Sequence, residues 1–146
     1  MSDKPRILIV EARFYEDIAD ALVRGAVETL EAKGVPFDRI EVPGALEIPA
    51  AIGFSAQKYN GFVALGCVIR GETSHYDIVA GESARGLMDL SIREGLCIGN
   101  GILTCESRAQ AMERALPEKK NKGRDAVVAA LAMMVHKRHF LGKGEA

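Results

Sequence analysis

The sequence predicts an α/β chain: a four-stranded parallel sheet with helices on both faces, making a three-layer sandwich. Three observations predict it. Short β-branched apolar runs alternate with longer segments of helical period along the chain. Successive runs are separated by a single helical segment, which requires crossover connections and so parallel strands with right-handed crossovers. The third run, Phe62–Ile69 (FVALGCVI), is apolar without alternation, as a strand buried on both faces must be.

The elements follow in order. Arg6–Val10 (RILIV) reads as the first buried strand. Glu16–Lys33 places Ile18, Leu22, Val23, Ala26, Val27 and Leu30 at helical spacing, and Gly34 supplies the stop. Phe37–Val42 is a second strand, halted by Pro43-Gly44. Pro49 opens a helix reaching about Tyr59, since proline suits a first helical position. After Phe62–Ile69 comes a helix over Tyr76–Glu94, ended by Gly95. Cys97–Thr104 is the fourth strand, Glu106–Leu116 a helix stopped by Pro117, and Gly123–Phe140 the last helix. The order β-α-β-α-β-α-β-α-α over residues 1–146 reads as a single domain, flavodoxin-like in its layers. Such sheets take ligands outside the carboxyl ends of their strands.

Composition narrows the function classes. Lys and Arg total 19 against 20 Asp and Glu, so there is no electrostatic footprint for nucleic acid or an anionic membrane. No apolar run is long enough to span a bilayer, and MSDKPRILIV reads as leading into a strand rather than as a signal peptide. Cys67, Cys97 and Cys105 are odd in number and lack metal-ligand spacing, so they read as free thiols in a reducing, cytoplasmic compartment. Ala126–Val135 (AVVAALAMMV) is apolar on every side of its helix. A sheet covers only one side, so the other is expected to meet a neighbouring subunit or the adjacent helix.

The segments after the strands hold the candidate chemistry. Glu11-Ala12-Arg13-Phe14 follows the first, Pro43 to Pro49 the second, Arg70 to Asp77 the third, and Thr104-Cys105 the fourth. In the third segment Gly71 frees the backbone to turn, and Ser74-x-x-Asp77 resembles a capping box. A helix start favours phosphate by roughly 0.3–1 kcal/mol, to which Thr73 can add a hydroxyl. His75 sits at the lip, and imidazoles titrate near enough to neutrality (about pH 6.5) to transfer protons. The plainer reading is that these residues only cap the helix and that His75 is a surface residue. Phe14 is either a staple on its own helix or a plate for a planar ring. Glu47 either accepts from hydroxyls or is solvated. The cluster Arg108, Arg114, Lys119, Lys120, Lys122 and Arg124 is a solvated face or a source of a phosphate ligand. No GxxxxGK[ST] occurs, and Gly99-Asn100-Gly101 lacks a third glycine. His136 and His139 complement a helix end rather than hold metal.

Arg13-Phe14, VPGALEIPAA (42–51), GCVIRGETSHYD (66–77), NGILT (100–104), ERA (113–115) and NKG (121–123) together resemble lumazine synthase, in that family's order from about residue 6 to 140. The resemblance implies an enzyme of riboflavin biosynthesis without metal or organic cofactor. It would condense 5-amino-6-(ribitylamino)pyrimidinedione with 3,4-dihydroxy-2-butanone 4-phosphate. By resemblance, Phe14 stacks on the pyrimidine, and Ala45, Leu46 and Glu47 hold the ribityl chain. Cys67, Val68 and Ile69 line the ring pocket, Glu72 and Thr73 shape the phosphate turn, and His75 moves the proton. Asn100 and Arg114 come from the adjacent subunit, with Lys122 nearby. Three positions depart from the common pattern: Leu46 replaces a frequent tryptophan, Asn100 a frequent aromatic, and Glu72 a frequently small residue. Pro117-Glu118-Lys119-Lys120 lacks the glycine-rich run of shell-forming members, and the segment before the first strand is short, so the expected assembly is a free homopentamer. The alternative is a paralogue that binds flavin or lumazine with little catalysis.

Overall fold

Four strands, β1 (Ile7–Ala12), β2 (Phe37–Val42), β3 (Gly61–Ile69) and β4 (Ile98–Cys105), form one parallel sheet in the order β2-β1-β3-β4 in the computed structural model, which describes residues 5–142. Helices α1 (Glu16–Lys33), α2 (Ile48–Phe54), α3 (His75–Arg93), α4 (Arg108–Ala115) and α5 (Lys122–Leu141) complete the order read from the sequence. The start of the chain, expected to lead directly into β1, lies outside the described residues over 1–4.

The chain steps outward from β1 to β2 and returns across β1 to β3, so Ile9 faces Arg39 on one side and Val63 on the other. That reversal opens a crevice at the carboxyl ends of β1 and β3. One face of the sheet packs Ile7, Ile9, Val63 and Leu65 against α1, α4 and α5. The other packs Leu8, Val10, Phe62 and Ala64 against Ile48, Ile52 and Leu87 of α2 and α3. Each such side chain contributes about 1.5–3 kcal/mol by leaving water. β2 is an edge, and its exposed Asp38, Arg39 and Glu41 discourage pairing with another chain.

The boundaries differ from expectation in instructive places. β1 runs two residues further than the expected Val10, through Glu11 and Ala12. Glu11 stays in the strand, at 1% exposure, because Arg13 Nη1 donates to it at 2.7 Å and Arg39 Nε at 2.5 Å. α2 ends at Phe54, short of Tyr59, where the Ser55 hydroxyl donates to the carbonyls of Ala51 (2.9 Å) and Ile52 (3.2 Å) and so competes for the helix's own acceptors. A 3₁₀ turn, Ala45–Glu47, precedes it. α4 starts at Arg108, not Glu106, because Ser107 accepts from the Gln110 N–H at 3.2 Å as its cap. The capping box expected at Ser74-x-x-Asp77 does not form: Ser74 precedes α3 but its hydroxyl makes no capping bond. Gly34 does end α1, in the left-handed conformation at φ 69°.

α5 buries Gly123, Ala126, Val127 and Ala130 against the sheet and α1. Val128, Ala129, Ala132 and Met133 face outward and are exposed, as are Ile78, Met88 and Ile92 of α3. No helix among the described residues is long and apolar enough to cross a membrane.

Candidate active site

A cleft of ≈ 410 Å³ opens at the crevice where the strand order reverses. Three segments far apart in sequence build it. The end of β1 delivers Phe14 and Tyr15, the turn after β2 delivers Pro43 to Glu47, and β3 with its following turn delivers Cys67, Val68, Ile69, Gly71, Thr73, His75 and Tyr76. Phe14 is 75% exposed, with its ring edge-on to Tyr15 at 4.9 Å. It does not staple its own helix but stands at the cleft mouth. Arg13, just before it, is held by Glu11, Glu16 and Asp20; burial works against its charge, and those three carboxylates outweigh burial and raise its pKa. Phe14 thus projects from an anchored backbone.

The turn at residues 71–74 is exposed, and Thr73 Oγ1 accepts from the His75 N–H at 3.2 Å. The Ser74 side chain makes no cap, and its carbonyl instead accepts from the Asp77 N–H at 3.0 Å and the Ile78 N–H at 3.3 Å at the start of α3. Ala45 is buried beneath the floor, while Leu46 and Glu47 stand exposed along the wall.

Of the residues expected in the site, Phe14, Ala45, Leu46, Glu47, Cys67, Val68, Ile69, Thr73 and His75 line this one cleft. Glu72 lies in the same turn, exposed, without lining it. Asn100, Arg114 and Lys122 lie elsewhere on the chain. Asn100 is exposed in β4, its Oδ1 accepting from the Ile102 N–H at 2.9 Å. Arg114, half-buried on α4, donates to the Gln110 carbonyl at 3.0 Å and has no carboxylate partner among the described residues. In the same basic cluster Arg108 pairs with Asp17, and Lys122 and Arg124 with Asp125. Arg114 is therefore an arginine of the cluster free to meet an anion. Tyr15, Tyr76 and Val79 also line the cleft and were not expected there. Their signal was position alone, next to Phe14 and His75 or one helical turn on.

Cys67 has the cleft's only thiol, and burial, reinforced by neighbouring Cys105, pushes its pKa up to about 12. It is an apolar wall rather than a nucleophile. Iodoacetamide at pH 8 is expected to alkylate Cys67 on the order of 10³-fold more slowly than a free thiol, followed by peptide mass spectrometry. Alkylation at the free-thiol rate would put a reactive thiolate in the site.

A second cavity, ≈ 470 Å³, is larger but lies beyond the amino ends of the strands, between Lys58, Phe62, Leu96, Cys97 and Met134. It holds none of the candidate groups, and the chemistry of the smaller cleft outweighs its size.

Comparison with known proteins agrees with the motifs. The sequence pattern of the family described as 6,7-dimethyl-8-ribityllumazine synthase matches residues 4–138. A protein of that name from Bartonella tribocorum is 58% identical over 143 residues, covering 96% of this chain and 95% of its own. Another from Agrobacterium fabrum is 55% identical over 146 residues, covering 95% and 99%. With a family pattern spanning nearly the whole fold and relatives more than half identical end to end, the chain belongs to the 6,7-dimethyl-8-ribityllumazine synthase family.

Proposed function

We propose that this cleft condenses 5-amino-6-(ribitylamino)pyrimidinedione with 3,4-dihydroxy-2-butanone 4-phosphate, giving 6,7-dimethyl-8-ribityllumazine and releasing phosphate and water. One observation carries the reading: an exposed aromatic ring, an exposed carboxylate and a histidine at a helix start converge on one cleft from three separate segments.

The pyrimidine lies against Phe14, over the apolar wall of Cys67, Val68 and Ile69. Its ribityl chain runs along Ala45 and Leu46, with hydroxyls donating to Glu47. The phosphate of the second substrate seats at Glu72-Thr73, where Thr73 donates its hydroxyl and the positive end of α3 attracts the anion. The amine attacks the ketone and water leaves to form an imine. Phosphate then departs by elimination, and the second amine closes the ring with loss of another water. Holding two substrates together replaces entropy that solution would exact. His75 shuttles the protons, and the donors around the leaving dianion stabilise it as charge develops. No step needs a metal or organic cofactor.

The cleft is open on one side, and its missing groups sit outward on the chain. We assign Asn100, Arg114 and Lys122 to a neighbouring subunit's cleft, Asn100 at the ring and Arg114 at the phosphate. The exposed apolar faces of α3 and α5 favour association with further copies, and the family resemblance makes that assembly a cytoplasmic homopentamer.

Mixing the two substrates with the protein is expected to produce lumazine fluorescence; tight flavin binding without turnover would make it a binding paralogue instead. Arg114→Ala is expected to raise KM for the phosphate substrate about 10–100-fold, the loss of one charge-assisted contact, with little change for the pyrimidine. Equal losses for both substrates would remove Arg114 from the phosphate.

A further inference from the structure

Arg70 lies just outside the cleft yet contacts the residues that follow the turn bounding it and the end of β4 beside it. Its guanidinium carbon sits 4.2 Å from the centre of the Tyr76 ring. Nη1 approaches Asp77 Oδ1 at 3.5 Å, and Nε donates to the two Glu106 oxygens at 3.1 and 3.2 Å. Its backbone N–H donates to the Cys105 carbonyl at 2.9 Å. Glu106 is anchored in turn, its N–H donating to Gln110 Oε1 at 2.7 Å. One planar fork therefore grips both ends of the 71–75 turn and ties them to the end of β4.

The turn itself offers little to hold it. Residues 71–75 are all exposed, and a side chain added at Gly71 would meet nothing within 4 Å. A segment without packing keeps one shape only if its ends are held. Arg70 does not line the cleft, and its charge is already met by Glu106 and Asp77. Those facts speak against direct ligation of substrate and for a mechanical part. Lysine cannot substitute, because its ammonium lacks the flat fork that stacks on Tyr76 while reaching a carboxylate on either side.

We infer that Arg70 is a positioning residue for the phosphate cradle, closing the 71–75 turn so that Thr73 and His75 meet the leaving anion in one geometry. This rests on the proposed reading of the cleft. It also makes Glu106, on the opposite side of the fork, part of the same device.

The test compares Arg70→Lys, Arg70→Met and Glu106→Gln in the full-length protein. The readouts are KM for each substrate, competitive inhibition by inorganic phosphate, and hydrogen exchange of amides 71–75. Both Arg70 variants are expected to weaken the phosphate substrate and inorganic phosphate about tenfold, to leave KM for the pyrimidine within about twofold, and to speed exchange in the turn. Glu106→Gln is expected to shift them the same way, less strongly. It removes a negative charge, so an effect of charge alone would tighten phosphate, and that result overturns the inference. Full retention of phosphate affinity by Arg70→Lys overturns it too, since charge would then suffice. So does a lowered melting temperature with unchanged KM values and exchange. If the wild-type protein makes no lumazine, the proposed reaction fails, while inorganic phosphate binding and exchange in the turn still decide the role of Arg70.

Discussion

His75→Ala is expected to lower kcat by about 10²–10⁴, the range that one positioned general acid–base supplies, while the assembled protein keeps its mass and melting temperature. His75 is exposed at the first position of α3, and its imidazole makes no hydrogen bond among the described residues. Removing the imidazole therefore costs the fold almost nothing, and a lost rate reports chemistry. Both KM values should change little. An unaltered kcat would take His75 out of the mechanism. The same variant tests whether sites are shared between chains. If Arg114 completes a neighbour's cleft, neither His75→Ala nor Arg114→Ala alone is fully active, but an assembly co-expressed from both contains some intact sites. Random mixing makes about one quarter of the clefts carry a native His75 and a native Arg114 together. Recovery to about that fraction of wild-type activity supports sharing; no recovery above the average of the two parents places both residues in one chain's site.

The second large effect concerns stability. Gly99→Ala is expected to cost about 2–3 kcal/mol and to lower the melting temperature by about 5–10 °C. On strand propensity alone alanine should be the better residue, by roughly 0.5–1 kcal/mol. The packing reverses that sign. A Cβ on Gly99 would stand 1.8 Å from the backbone carbonyl oxygen of Ala126 and 2.7 Å from its carbon. Backbone cannot rotate away as a side chain can, so β4 and α5 would have to separate along their main contact. Thermal unfolding followed by circular dichroism measures the difference. A melting temperature equal to or above the wild type would show that this contact is looser than the geometry requires.

Much of the architecture was legible in the sequence because burial has a period. The β-branched runs, the uninterrupted apolar character of β3, the helical spacing in α1 and the stop at Gly34 all follow from which faces must leave water. Residues that line the cleft by lying next to a strand end were legible too, and the VPGALEIPAA and IRGETSHYD segments carried the family resemblance. Less legible were features set by a partner distant in sequence. Glu11 reads as a loop residue until Arg39 of β2 and Arg13 are seen around its carboxylate. Ser74-x-x-Asp77 resembles a capping box in its spacing, yet the Ser74 hydroxyl makes no capping bond. Arg70 looks like one more basic residue until Tyr76, Asp77 and Glu106 close around it.

The sequence by itself determined that the chain alternates strands with helices, which segments follow the carboxyl ends of the strands, and the family to which those segments belong. Only the tertiary structure decided the order β2-β1-β3-β4, and with it the meeting of Phe14, Glu47 and His75 around one cleft. The reason is physical. Local pattern records how often a side chain must be buried, whereas the choice of neighbour is made by the whole chain at once, when packing of all layers outweighs the entropy of closing long loops.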